Sequence, residues 1–312
     1  MLRLLVALSL LVLMLSRPDA SWHPASYVAN HRDGTPAQAA AVPFDSSRAW
    51  QHLRQLVAIG PRPAGSAGID QARKYIKDEL KAAGLTVTEQ TWDDRTPLGE
   101  VRMVNLSATI RGARQERIVV AGHYDTKRFR EFRFVGANDG GSSAAFLIEL
   151  ARTLKGRTNP FTLELLFLDG EEAVVEWRGT DRTYGSRHYV NLARRNGSLA
   201  SLKALVLVDM IGDRDLRLRR DLNSTPWLTD IIWNAARRQK VAQFVEATTA
   251  IEDDHLPFLE AGVPSVDIID LEYPAWHTAA DTLDQVSARS LQLVADVLLA
   301  ALPQIEAHLA RQ

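Results

Sequence analysis

The sequence predicts an α/β fold: a single domain on a mixed, mostly parallel central sheet, with helices covering both faces. Three observations lead there. From about Phe44 onward, short apolar runs rich in β-branched residues alternate with longer segments of helical spacing, the pattern of strands joined by crossover helices. Several runs, "RIVVAGHYD" (117–125), "FTLELLFLDG" (161–170) and "LKALVLVDMIG" (202–212), are almost continuously apolar, as strands buried on both faces are. The chain has 312 residues, 46% hydrophobic and 24% charged, which is ordinary globular composition and enough to bury one large core.

The first element is not part of that domain. "MLRLLVALSLLVLMLSRPDA" (1–20) places Arg3 before a leucine-rich run from Leu4 to Leu15, then Arg17 and Pro18. A spanning helix needs about 20 apolar residues, so this run is nearer to a signal-peptide core. Pro18 sits where a small residue should precede Ala20, which leaves removal and retention as an N-terminal membrane anchor both open. Either way the pattern predicts export to a periplasmic, secreted or lumenal location, with no other membrane contact. Residues 21–44 are rich in Ala, Pro and polar residues without periodicity and read as a linker or surface arm. His23 and His31 lie in it and read as surface residues.

The α/β domain then runs from 45 to 312. "SSRAWQHLRQLVAIG" (46–60) and "AGIDQARKYIKDELKAAG" (67–84) carry helical spacing, the second stopped by Gly84. "LTVTEQTW" (85–92) and "VRMVNLSATIRG" (101–112) alternate and pair as neighbours, an antiparallel addition that makes the sheet mixed. After the strand at 117–125, "SSAAFLIELARTLKG" (142–156) reads as an amphipathic helix before the buried strand at 161–170. Helix at 184–197, strand at 202–212, helix at 226–239, strand at 264–271 and a long helix at 287–311 complete the alternation.

Composition removes several functions. With no cysteine, disulfides, thiolate zinc sites and cysteine nucleophiles are excluded. A net charge of -1 and the absence of a nucleic-acid-type Lys/Arg run speak against a polyanionic partner.

In open α/β sheets, ligands bind beyond the carboxyl ends of the strands. The polar residues there are His123 and Asp125, then Asp169, Glu171 and Glu172, then Asp209, then Asp270, with Asp139 and His277 added from loops. One acid in such a place is as readily a helix cap. Several together with histidines, including two adjacent glutamates, call for a cation, because buried like charges must be neutralised or paired. Histidines in the set favour a transition metal over magnesium or calcium. Zinc fits on availability and geometry, and manganese or cobalt would fit the same ligands. There is no H-E-x-x-H helix, so the ligands must come from separate strand ends.

The order of "GHYDTK", "VGANDGG", "FLDGEEAVVEW", "YGSRH", "VLVDMIG", "EDDHLPFL" and "WHTAADT" resembles that of the zinc glutaminyl cyclases. Those enzymes share a fold with the co-catalytic zinc aminopeptidases, which "AIGPRPAGSAG" also resembles. The likeness runs from about residue 47 to the C-terminus, and it implies one zinc per chain held by Asp139, Glu172 and His277. It implies Glu171 as general acid/base, with Asp209 and Asp253 as its hydrogen-bonding partners, and Trp177 and Trp276 around the substrate. Glu252 stands where the cyclase pattern often has glutamine, adding a charge at the substrate site. The implied reaction closes an N-terminal glutaminyl residue of a peptide or protein to pyroglutamate and releases ammonia.

Two other readings stay open on the same residues. In a two-zinc aminopeptidase, His123 and Asp209 would hold a second zinc with Asp139 bridging; a non-catalytic binding protein on this fold is the third. Elsewhere, Trp227, Trp233, His188 and His255 read as structural and His308 as exposed. Asn105, Asn196 and Asn223 begin glycosylation sequons.

Overall fold

The computed structural model describes residues 42–312; the export segment and nearly all of the predicted arm lie outside the described residues. The arm ends in Phe44, which is buried with its ring tilted against that of Phe146, centroids 5.2 Å apart.

The sheet has six strands: β1 (Val87–Thr96), β2 (Gly99–Ile110), β3 (Arg114–His123), β4 (Phe161–Leu168), β5 (Leu202–Asp209) and β8 (Ser265–Ile269). Their order is β1-β2-β4-β3-β5-β8. Strands β4, β3, β5 and β8 are mutually parallel, and β2 runs antiparallel to both β4 and β1. The chain steps from β3 outward to β4, then returns past β3 to β5, and such a reversal opens a crevice at the carboxyl edge of the sheet.

Period-2 alternation within the apolar runs feeds two cores. Ile118 and Val120 of β3, Leu163, Leu165 and Phe167 of β4, and Val206 and Val208 of β5 face the larger one. It is covered by α1 (Ser46–Ile59), α2 (Ala67–Ala82), α3 (Gly141–Lys155), α5 (Pro226–Gln239) and α7 (Ala288–Leu309). Val119, Ala121, Leu166, Leu168, Leu205 and Leu207 point to the other face, against α4 (Tyr184–Arg195) and α6 (His255–Glu260). α7 is apolar and long enough to cross a bilayer, but its inner stripe packs into the larger core.

Local chemistry sets the helix ends. The Asp45 carboxylate caps α1 through Ser47 N at 2.9 Å, and Ser66 caps α2 through Ile69 N at 3.2 Å. Gly84, at φ 74°, closes α2 as predicted.

Three readings are corrected. α3 is buried nearly all round rather than amphipathic, because it lies between the sheet and α1, α2 and α7. A two-stranded parallel sheet of β6 (Leu218–Asp221) and β7 (Phe244–Thr249), and the six-residue α6, went unread; segments this short show too few periods to register. His308 is half-buried, stacked on Trp227 at 4.1 Å. Trp233 is buried, His188 stacks on Trp92 at 4.1 Å, and both are structural as expected. Asn105 is buried and donates to Gly185 O at 2.9 Å, so its sequon is closed to glycosylation; Asn196 and Asn223 are exposed.

Candidate active site

The carboxyl ends of four parallel strands deliver acids and histidines to one edge. β3 ends on His123, β5 ends on Asp209, and the turn after β4 carries Glu171 and Glu172. Asp139 comes from the loop before α3, Asp253 from the loop before α6, and His277 from the loop after β8. Two glycines make this convergence possible. Gly170, at φ 68°, turns the chain so that two consecutive glutamates face one cavity. Gly140, at φ 72°, lets the start of α3 approach the β3 end so closely that a Cβ would sit 2.2 Å from Asp125 O.

The first cluster is Asp139, Glu172 and His277. His277 Nε2 lies 3.2 Å from Asp139 Oδ2 and 3.0 Å from Glu172 Oε1. A tetrahedral ion with ligands at ~2.0–2.1 Å spaces its donor atoms by about 3.3 Å, so these three fit one ion with little movement. Asp139 Oδ2 is buried and accepts no well-formed hydrogen bond, which leaves a lone pair directed into the cluster. Burial opposes a charged imidazole, but the two carboxylates outweigh it and push His277 up to about 10. Burial and Asp139 push Glu172 up to about 7. A divalent cation would relieve both.

The second cluster, His123, Asp139 and Asp209, shares Asp139 with the first. His123 Nε2 lies 3.0 Å from Asp209 Oδ1 and 3.3 Å from Asp139 Oδ1. Its Nδ1 is 3.3 Å from Asp125 Oδ1 and 3.9 Å from Glu171 Oε2.

Glu171 belongs to neither cluster. It is buried, and burial together with Glu172, Asp253 and Asp254 raises its pKa well above the usual carboxylate range, against the pull of His123. Asp253 is itself pushed up to about 7 by burial and by Asp209. Asp209 accepts from Met210 N at 2.7 Å and faces His123, so His123 links it to Glu171. Met210 and His277 both have positive φ, at 45° and 54°, and both line the cavity. Such strain persists where the surrounding structure dictates side-chain direction.

The cavity holds about 360 Å³, within the range of small-ligand sites. Glu171, Glu172, Asp139, Asp209, Asp253 and His277 line its floor, and Trp177, Ile251, Glu252, Leu271 and Trp276 its walls. Trp276 stands at the rim, 41% exposed, with its ring 4.5 Å from that of His277.

Not every strand-end acid joins the site. Asp169 accepts from Val104 N at 2.8 Å and from Arg73 at 3.1 Å, and Asp270 accepts from Arg217 N at 2.7 Å. Both fix loops. Asp125 is turned toward the backbone N–H groups of Glu171 and Glu172, at 3.2 and 3.3 Å, and so sets the glutamate pair in place. His255 lies behind the site between Asp221 at 3.1 Å and Asp267 at 3.7 Å.

Three supporting residues escaped the sequence reading. Lys127 lines the cavity, 3.6 Å from Glu172 and donating to Ala173 O at 2.9 Å. Asp281 accepts from Asn138 N at 2.8 Å and Asp139 N at 3.2 Å. Arg62, fully buried, donates to the carbonyls of Tyr124, Val135 and Gly136 and so clamps the loop leading to Asp139. The quoted "GHYDTK", "AIGPRPAGSAG" and "WHTAADT" contained all three, but a residue that serves backbone groups has no spacing signature.

The family model for Peptidase family M28 matches residues 105–302. A glutaminyl-peptide cyclotransferase-like protein of Mus musculus is 33% identical over 271 residues, covering 77% of this chain and 70% of its own length. Among solved structures, a glutaminyl cyclase from an Acidobacteriales bacterium superposes with a TM-score of 0.83 at 40% identity, covering 88% of this chain and 98% of that one. A Fimbriiglobus ruber glutaminyl cyclase gives 0.78 at 30% identity, covering 85% and 96%.

Proposed function

The chain belongs to Peptidase family M28, in its glutaminyl-cyclase branch, and from that premise we propose that it converts N-terminal glutaminyl residues of peptides and proteins to pyroglutamate. One observation carries the reading: a buried carboxyl group outside both metal-type clusters, Glu171, shares a small cavity with Asp139, Glu172 and His277 between Trp177 and Trp276.

In the reaction the substrate's α-amino nitrogen bonds to its own γ-carboxamide carbon, the bond from that carbon to the amide nitrogen breaks, and ammonia leaves. Nucleophile and electrophile share one residue, so the walls act mainly by holding the folded conformer. Asp139, Glu172 and His277 would hold one zinc ion, which supplies polarisation of the γ-carbonyl and stabilises charge on its oxygen. Glu171 takes a proton from the α-amine and returns it to the departing nitrogen, which leaves poorly unless protonated. Its burial and its acidic neighbours favour the protonated form, so the carboxyl can hold that proton between the two transfers. Asp253 flanks it as a second acid, and Asp209 orients His123 beside it. Trp177, Ile251 and Trp276 displace water that would otherwise hydrolyse the amide.

Incubation with Gln-initiated dipeptides tests the proposal: ammonia should appear without free second amino acid. Release of the second amino acid would overturn it. The His123–Asp139–Asp209 cluster supports the second reading, a two-zinc aminopeptidase. Metal analysis separates the two, with about one zinc per chain expected for the cyclase. The apolar run Leu4–Leu15 supports export, which N-terminal sequencing of the mature protein checks.

A further inference from the structure

Trp177 lies in the stretch 171–183, which forms neither helix nor strand, and most of its neighbours from 175 to 180 are exposed. The stretch is shaped by Asp181, whose Oδ1 accepts from Val174 N at 2.9 Å and from the Tyr184 hydroxyl at 2.7 Å. Its Oδ2 accepts from Val175 N and Glu176 N, each at 2.9 Å. These bonds fix the backbone, and none of them reaches the Trp177 ring. The next residue supplies that contact: the Arg182 guanidinium lies over the Trp177 ring, 5.4 Å from its centroid. The same guanidinium is paired with the carboxylate of Glu252.

Glu252 belongs to a different segment of the cavity wall. It sits in the irregular segment between β7 and α6 that also carries Ile251 and Asp253 into the cavity. An exposed ion pair alone contributes little, and the Glu252 side chain is 58% exposed. Arg182 differs because one planar group serves two partners, its face on an indole and its edge on a carboxylate. Both segments are irregular backbone, the first held by Asp181 and the second by Ile251 N donating to Asp221 at 3.0 Å and Asn223 donating to Ile251 O at 2.7 Å.

We propose that Arg182 is a positioning residue: clasped between Trp177 and Glu252, it ties the two walls of the cavity together and sets how far the indole stands over bound substrate. The inference rests on the cyclase reading of the site. It also gives the glutamate at position 252 a task that glutamine would perform less well, since the carboxylate is what holds the guanidinium.

The test is a double-mutant cycle on cyclisation of a Gln-initiated dipeptide, with backbone hydrogen exchange at residues 174–180 as a second readout. Arg182→Ala should raise KM by about three- to tenfold, with kcat changed by less than about twofold. Glu252→Gln should raise KM less, and the double variant should be no worse than Arg182→Ala alone. Arg182→Lys should recover part of the loss. Exchange at 174–180 should quicken in both single variants while Tm stays within about 2 °C of wild type. Multiplying KM effects in the double variant, a loss confined to kcat, or unaltered exchange would each overturn the proposal. If the wild-type chain releases no ammonia, the assigned reaction fails instead, and the exchange data still decide whether Arg182 and Glu252 hold the wall.

Discussion

Replacing Glu171 by Gln changes one buried carboxyl group into a neutral amide of the same shape. The backbone N–H of residue 171 remains bonded to Asp125 at 3.2 Å, so the side chain keeps its direction. A carboxyl group that approaches His123 Nδ1 to 3.9 Å is removed, and with it the group that titrates beside Glu172. Asp139, Glu172 and His277 are untouched, and zinc content should stay at that of wild type. What is lost is the ability to carry a proton. A positioned general acid/base contributes about 10²–10⁴ in rate, which is about 2.7–5.4 kcal/mol of barrier. Some rate above the uncatalysed reaction should persist, because the cavity still holds the substrate folded. The assay is ammonia release at saturating dipeptide, run beside metal analysis of the same preparation. Turnover within about tenfold of wild type, with zinc retained, would refute the proton-shuttle role. Loss of zinc in this variant would refute the division of labour between the two glutamates.

Other outcomes follow from the same geometry. His277→Ala removes the imidazole nitrogen that meets both Asp139 and Glu172. Zinc should fall from about one per chain to near zero after dialysis against chelator, and retained zinc would show that the ion is held elsewhere. His52 has its Nδ1 2.7 Å from the Tyr75 hydroxyl, and burial holds its pKa down to about 4 against an ordinary 6.5. Between those values the unfolded chain binds a proton that the folded chain does not, so stability rises with pH across that window and is complete above it. The contribution is at most about 3–4 kcal/mol. Urea unfolding from pH 4 to 7.5 should therefore show a shallower pH slope for His52→Gln than for wild type; equal slopes would remove His52 as the cause.

The buried strands were legible because continuous apolar runs leave few alternatives, and their polar ends pointed to His123, Glu171, Glu172 and Asp209; Asp139 and His277 had to be added from loops, and Glu252 and Asp253 came only from the family resemblance. Asp169 and Asp270 show where that logic stops. They occupy strand ends as Glu171 and Asp209 do, yet backbone N–H groups claim them. Which acids face the cavity depends on where the chain turns: Gly170 aims the glutamate pair inward, while Asp169 is drawn to β2 and α2. Arg62, Lys127 and Asp281 were missed for a related reason. Each acts on a partner at least 46 residues distant in sequence, and distance along the chain carries no local signature.

By itself the sequence determined the α/β class, the mixed sheet, and the need for a cation among adjacent acids. Periodicity and charge are local properties, and they survive without coordinates. Only the tertiary structure decided that Asp139 serves two clusters, that Glu171 stands apart from both, and that Arg182 joins Trp177 to Glu252. Those are distances between strand ends and loops that only the packed sheet brings together. A carboxylate becomes ligand, proton carrier or backbone clamp according to its neighbours, and in this chain those neighbours come from elsewhere in the fold.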